Sequence, residues 1–291
     1  MRWLNSRLVR FLGLALFTAI GLRHLPAADS GSIVMVEAPR PLAKMAAVLT
    51  ERYGVPVSYE DVSRYSYYAE LEDPVNFHAR EPRSKVLPPR PSRLSILTPP
   101  VSERTPATSS TITALLNSAL EKHESSGNPG RFRLLQTGTA LVITPVAARN
   151  ASGQFVPDAS PLELRISIPE ADGTSLAALT AFSHALSAAA GKRVDFFDGF
   201  ITTEFRFGAD NEIARDVLSR LIQTASKHMV GIHSTDSHET AHAKIAWDLI
   251  LNPGLEAPHD GAYELSFRVA RLASHMSVFE CPTPALDCAL R

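Results

Sequence analysis

The sequence predicts an α+β fold of two small modules, each of the order β-α-β-(β)-α-β-β, with helices packed on one face of short sheets. Three observations carry that expectation. An apolar helix pattern, a glycine and then a short alternating strand occur in that order twice, at 42–60 and at 175–197. A second helix pattern and two further strand patterns follow each time. The chain has 291 residues, 45% of them hydrophobic, which is enough for a buried core and, at ~150 residues per domain, for about two units. A formal net charge of −1 leaves no electrostatic footprint for nucleic acid and no basic block for a membrane surface.

Taken in order, residues 1–28 read as a signal peptide. Arg2, Arg7 and Arg10 precede the apolar run FLGLALFTAIGL, and the small residues Ala27 and Ala28 follow. The run is shorter than the ~20 residues a spanning helix needs, and no later segment is long and apolar enough to span. A periplasmic or secreted chain, with no membrane span after signal removal, is the expectation.

Module one covers 29–150. Residues 32–37 (SIVMVE) form a strand candidate. Leu42, Met45, Ala46 and Leu49 recur at helical spacing, with Pro41 at the first helical position and Gly54 just past the end. Val55, Val57 and Tyr59 then alternate as a half-buried strand. Ile112, Leu115, Leu116, Ala119 and Leu120 make the stripe of a second helix, capped by Ser109 or Ser110, with His123 near its end as a favourable cation. Two strands about Thr137-Gly138 read as a hairpin. Between the helices, 61–108 is an insert dense in proline, which cannot sustain helix or central strand and is read as an extended excursion.

Module two covers 151–272. Leu162, Leu164, Ile166 and Ile168 alternate as a strand. A helix over 175–190 carries Leu176, Leu179, Leu186 and Ala190 and is closed by Gly191. Strands follow at 193–197 and 201–207. Asp210 can cap a helix bearing Ile213, Val217 and Leu221, and strands at 244–251 and 263–269 close the module. The tail, 273–291, holds Cys281 and Cys288. Two cysteines are too few for a disulfide scaffold or a four-cysteine zinc site, but in an exported chain a local disulfide is the first reading, worth ~2–3 kcal/mol on the chain-entropy model. Free thiols or an intermolecular bridge are the alternatives.

Residues 36–61, VEAPRPLAKMAAVLTERYGVPVSYED, resemble the first half of the secretin and TonB short N-terminal domain. Residues 112–145, ITALLNSALEKHESSGNPGRFRLLQTGTALVITP, resemble its second half, and module two is a looser echo. The resemblance implies a small non-enzymatic module of the cell envelope of a Gram-negative-type bacterium that binds partner proteins. This chain departs from the family in its long insert and in carrying no β-barrel or secretin sequence.

Two constellations are candidates for function. Most of the tyrosines fall between 53 and 68. Tyr59, Tyr65, Tyr67 and Tyr68 are the candidate contacts for an envelope protein or peptide, since tyrosine gives contact area at low entropic cost; the plainer reading is an edge strand and lid that seal the sheet. The second is the HExxH at 238–242. On a helix His238 and His242 share a face and can bind zinc, Glu239 can act on the metal-bound water, and Glu264 is a candidate third ligand, with Glu256, His259 and Asp260 as others. The polar flanks and Lys244 argue instead for a loop, and His228 and His233 extend a solvated histidine cluster. His184 reads as a helix-face residue, and Asp195 with Asp198 is a weak acidic pair. The leading expectation is thus an exported, non-catalytic binding or assembly protein without a cofactor, using strand addition at an exposed sheet edge. A zinc-dependent hydrolase is its rival.

Overall fold

The computed structural model describes residues 31–63, 92–99, 108–128, 130–138, 140–150, 152–196, 203–227, 244–252 and 262–270. The segment read as a signal peptide, the HExxH stretch, Tyr65, Tyr67, Tyr68, Asp198 and both cysteines lie outside them. The class is α+β, as expected.

The first half opens with β1 (Ser32–Ala38), whose Val34 and Val36 are buried while Ile33 and Met35 face out. α1 (Pro41–Tyr53) has Pro41 in its first turn, where a missing N–H costs nothing, and buries Leu42, Met45, Ala46 and Leu49. Gly54 ends it at φ 63°, the left-handed cap a side chain would strain. β2 (Val57–Glu60) is buried along its whole length. β3 (Ser92–Thr98) lies inside the segment expected to be an irregular excursion, and corrects that expectation. Its alternation turns Leu94 and Ile96 inward, and Pro91 and Pro99 flank the strand rather than interrupt it. β3 pairs antiparallel with β1, from Ser32 opposite Thr98 to Ala38 opposite Ser92.

α2 (Ser109–Ser125) is capped by Thr108, not by Ser109 or Ser110. Thr108 is still extended, and its hydroxyl accepts the Thr111 N–H at 3.3 Å. β4 (Gly130–Thr137) and β5 (Ala140–Arg149) form the expected hairpin, with Gly138 at φ 58° in the turn. β6 (Phe155–Pro157) folds back on β5, so the first half's sheet extends past the boundary expected at 150.

The second half repeats the order. Ser160 accepts the Leu162 N–H at 3.1 Å and sets a single 3₁₀ turn at Pro161–Glu163, which delays the expected strand to β7 (Arg165–Thr174). α3 (Ser175–Ala190) buries Leu179, Phe182 and Leu186 and ends at Gly191, φ 63°. Leu176 and Ala190 are only partly covered. β8 (Val194–Phe196) and β9 (Glu204–Ile213) follow. β9 runs through Asp210, so α4 (Ala214–Lys227) starts later than the expected cap. β10 (Lys244–Asn252) and β11 (Ala262–Ala270) close the half.

Each half holds a two-stranded antiparallel ribbon, β1–β3 or β7–β9, two helices, and a three-stranded sheet ordered β4-β5-β2 or β10-β11-β8. The two sheets do not stand apart. β2 pairs in parallel with β10, Tyr59 opposite Asp248 and Glu60 opposite Leu249, so one sheet runs β4-β5-β2-β10-β11-β8. The helices of the halves cover opposite faces of it. Leu141 and Ile143 of β5 join the core under α1 and α2, whereas Ala140 and Val142 join the core under α3 and α4. Helices on one face of a short sheet, as expected, describe each half, and the finding added to it is that the two short sheets join edge to edge. The outer face of the first half's sheet carries apolar side chains of its own, and the second half supplies their cover.

His123 also differs from its expected role. It is buried on α2 with its ring edge-on to Phe132, centroids 5.4 Å apart. Burial pushes its pKa down to about 4, so it is neutral where a helix-end cation was expected. A cavity of about 20 Å³ beside it is lined also by Arg40, Tyr59 and Asp61. The unfolded chain takes up this proton near the ordinary 6.5 and the folded chain only near 4. Stability is thus retained above pH 6.5 and lost as the pH falls toward 4, by about 3 kcal/mol at most. Urea unfolding at pH 7 and pH 4.5 is expected to show this acid limb, flattened in His123→Leu; an equally steep limb in the variant contradicts it.

Candidate interaction site

Of the four tyrosines expected to form a contact surface, Tyr59 is the one among the described residues, and it is interior. It is 3% exposed, its ring lies 5.5 Å from that of Phe132, and its hydroxyl donates to Asp61 Oδ1 at 3.0 Å. The alternation that makes β2 a strand turns Tyr59 toward the helices, so it offers no surface to a partner. Of the candidate zinc ligands, Glu264 is described. It is half-buried on β11, opposite Ile250 of β10 and Asp195 of β8. Among the described residues no group of three potential metal ligands comes together. No described helix is long and apolar enough to cross a membrane.

Charged side chains concentrate at the joint between the halves. Glu60 of β2 is fully buried and takes both nitrogens of Arg215 on α4, Nε at 2.7 Å and Nη2 at 2.6 Å. Thr144 donates to the same carboxylate at 2.9 Å, and Glu163 stands 3.5 Å from Arg215. Asp61, 1% exposed, accepts from Arg40 Nε at 2.6 Å, from Tyr59, and from the backbone N–H groups of Val62 (3.1 Å) and Leu251 (3.2 Å). Arg40 continues to the Leu251 carbonyl at 2.5 Å. Arg268 clasps Asp248 with two nitrogens at 2.7 Å and reaches the Val57 carbonyl at 3.0 Å. Burial pushes the Asp248 carboxyl up in spite of that clasp. Past β2, Ser63 donates backbone and hydroxyl to Asp158, and Lys192 donates to the Ser63 carbonyl at 3.0 Å. These groups are paired with one another across the chain. They hold the halves in register.

The open feature is elsewhere. Between α3 and β8 runs a groove of about 620 Å³, lined by Thr180, Ser183, His184, Ser187, Arg193 and Asp195 among others. His184 sits exposed on its wall, the helix-face position expected of it. Asp195 is paired with Arg193 at 2.9 Å. Ser187 accepts the Val194 N–H at 2.9 Å and Ser183 donates to the Val194 carbonyl, so the first residue of β8 is tied to the helix. β8 ends the sheet: among the described residues no strand pairs with its outer side.

The same device stands in the first half. Gly54 and Gly191 each lie three residues before a valine, Val57 or Val194, and Thr50 accepts the Val57 N–H at 3.0 Å where Ser187 accepts that of Val194. There, however, the edge is occupied. β10 pairs with β2, β11 lies against α1, and Thr50 is buried where Ser187 is half-exposed. The sequence carries a trace of this equivalence, G-V-P-V against G-K-R-V four residues after Thr50 and Ser187. It does not carry the information that one copy is covered and the other open. Compared with known families, curated proteins and solved structures, the chain has no match to a family model, a curated protein or a solved structure.

Proposed function

We propose that this chain is an exported, non-catalytic binding or assembly protein of the bacterial cell envelope, built from two units like the secretin and TonB short N-terminal domain, and that it takes a protein partner at the β8 edge. The observation that carries the reading is the strand edge beside the α3–β8 groove, open among the described residues, in a sheet whose equivalent edge is already filled by a strand. Main-chain groups of an added strand supply the bonds, and the groove supplies selectivity. The twice-used β-α-β-β-α-β-β order fits a binding role. The signal-like segment at 1–28 supports export, and fractionation of cells is expected to place the chain in the periplasm or medium.

The test uses the immobilised chain on envelope extract, with Ser187→Arg filling the groove. Retention of a specific protein by the wild type, reduced at least ~10-fold in the variant, is the expected result. A retained set that Ser187→Arg leaves unchanged, or no specific retention at all, overturns the reading.

A further inference from the structure

We propose that the occupant of the β8 edge is a second copy of this chain, joined through its β4 edge by the operation that already joins the two halves. The inference rests on the reading of β8 as a binding edge and names its partner.

The operation follows from the pairings. β5 and β2 run parallel, with β4 antiparallel to them. β10 runs parallel to β2, and β11 and β8 run opposite to β10. Passing from the first half to the second therefore reverses every strand, moves the helices to the other face and advances the sheet by three strands, about 14 Å at ~4.8 Å per strand. That is a two-fold screw along the sheet, with the sheet's own twist superposed. A screw does not close on itself. Its product presents the same two ends that it joined: β4 is the counterpart of β10, and β8 is the counterpart of β2.

Register equivalence makes the counterparts specific. Leu141 lies opposite Val57 as Tyr263 lies opposite Val194, and the Leu141 and Tyr263 N–H groups donate to the Pro56 and Arg193 carbonyls at 3.0 and 2.8 Å. Arg133, Leu134 and Gln136 of β4 then match Asp248, Leu249 and Leu251 of β10. A β4 strand on β8 would set Arg133 opposite Phe196, as Asp248 stands opposite Tyr59. The Ser58 hydroxyl accepts the Trp247 N–H at the internal joint, at 3.0 Å; an acceptor, Asp195, stands at the same place on β8. Val146, the counterpart of Arg268, is 37% exposed and would lie over the groove as Arg268 lies over Val57. Arg131 and Arg133 are each paired within the chain, with Glu124 (3.0 Å) and Glu163 (3.1 Å), so β4 brings no uncompensated charge to the joint. The interface is heterologous, and growth is open-ended rather than limited to a symmetric dimer.

Sedimentation of the purified chain from low micromolar to near-millimolar concentration tests this, with one variant closing each end. Ser187→Arg fills the groove at β8. Gln136→Pro removes an N–H that points away from β5, and so blocks β4 without breaking its hairpin. The wild type is expected to grow through dimer and trimer with concentration. Each variant alone is expected to stay monomeric, and an equimolar mixture is expected to stop at a dimer, since it holds one open β8 and one open β4. A wild type monomeric throughout, a variant that self-associates, or a mixture that does not combine overturns the proposal. Circular dichroism checks folding, and His184→Arg or Val146→Glu replaces a variant that fails it. Self-association absent while Ser187→Arg still abolishes capture of a different envelope protein refutes the second copy alone and leaves the binding edge standing.

Discussion

Arg215→Ala is expected to destabilise the protein by about 3–5 kcal/mol, a large part of the ~5–15 kcal/mol that holds a typical domain. The reason is what it leaves behind. Glu60 is fully buried in the middle of the sheet, and its two oxygens are satisfied by Arg215 and Thr144. Without the guanidinium the carboxylate keeps a single hydroxyl donor in a site that excludes water. The pair itself is not the source of stability, because taking both charges out of water cost much of what their attraction returns. Glu60→Leu combined with Arg215→Met is therefore expected to recover most of the loss. Urea unfolding of the single and double variants checks both statements, and a double variant no better than Arg215→Ala contradicts the desolvation argument.

Asp61→Ala is expected to cost a similar amount, about 3–5 kcal/mol. One carboxylate satisfies Arg40, the Tyr59 hydroxyl and two backbone N–H groups, and one of these belongs to Leu251 on the far side of the joint. Removing it strands a mostly buried guanidinium and several donors at once. Asp61→Asn, which keeps the shape and an acceptor oxygen, is expected to lose clearly less. Equal losses in the two variants would mean that the negative charge alone, not the shape or the retained acceptor oxygen, matters there. Denaturant midpoints at constant m-value make the comparison.

These two residues also show where sequence reasoning stops. The helices were legible because their apolar stripes recur at i, i+3 and i+4, and Gly54 and Gly191 end them in a conformation that favours glycine. The β4–β5 hairpin was legible from Thr137-Gly138. β3 was not, because prolines on both sides hid a seven-residue alternation. Tyr59 was misplaced because its aromatic neighbours in the sequence suggested a surface, whereas strand alternation buries it. Glu60 and Asp61 looked like an ordinary acidic strand end. Their partners Arg215 and Leu251 lie more than 150 residues away, and pairing at that separation leaves no local trace. The same holds for the meeting of β2 with β10. Each half's pattern predicts its own sheet, and edge-to-edge joining is a property of neither pattern alone.

The central claim is that the two halves form one cooperative sheet through β2 and β10. Native-state hydrogen exchange across a urea series tests it most directly, because it reads each helix and strand separately. The amides of α1, in one core, and of α3, in the other, are expected to converge on a single opening free energy and m-value. Arg215→Ala is expected to lower both together. Two transitions with separate m-values, one for each half, and an Arg215→Ala effect confined to the second half, would contradict it.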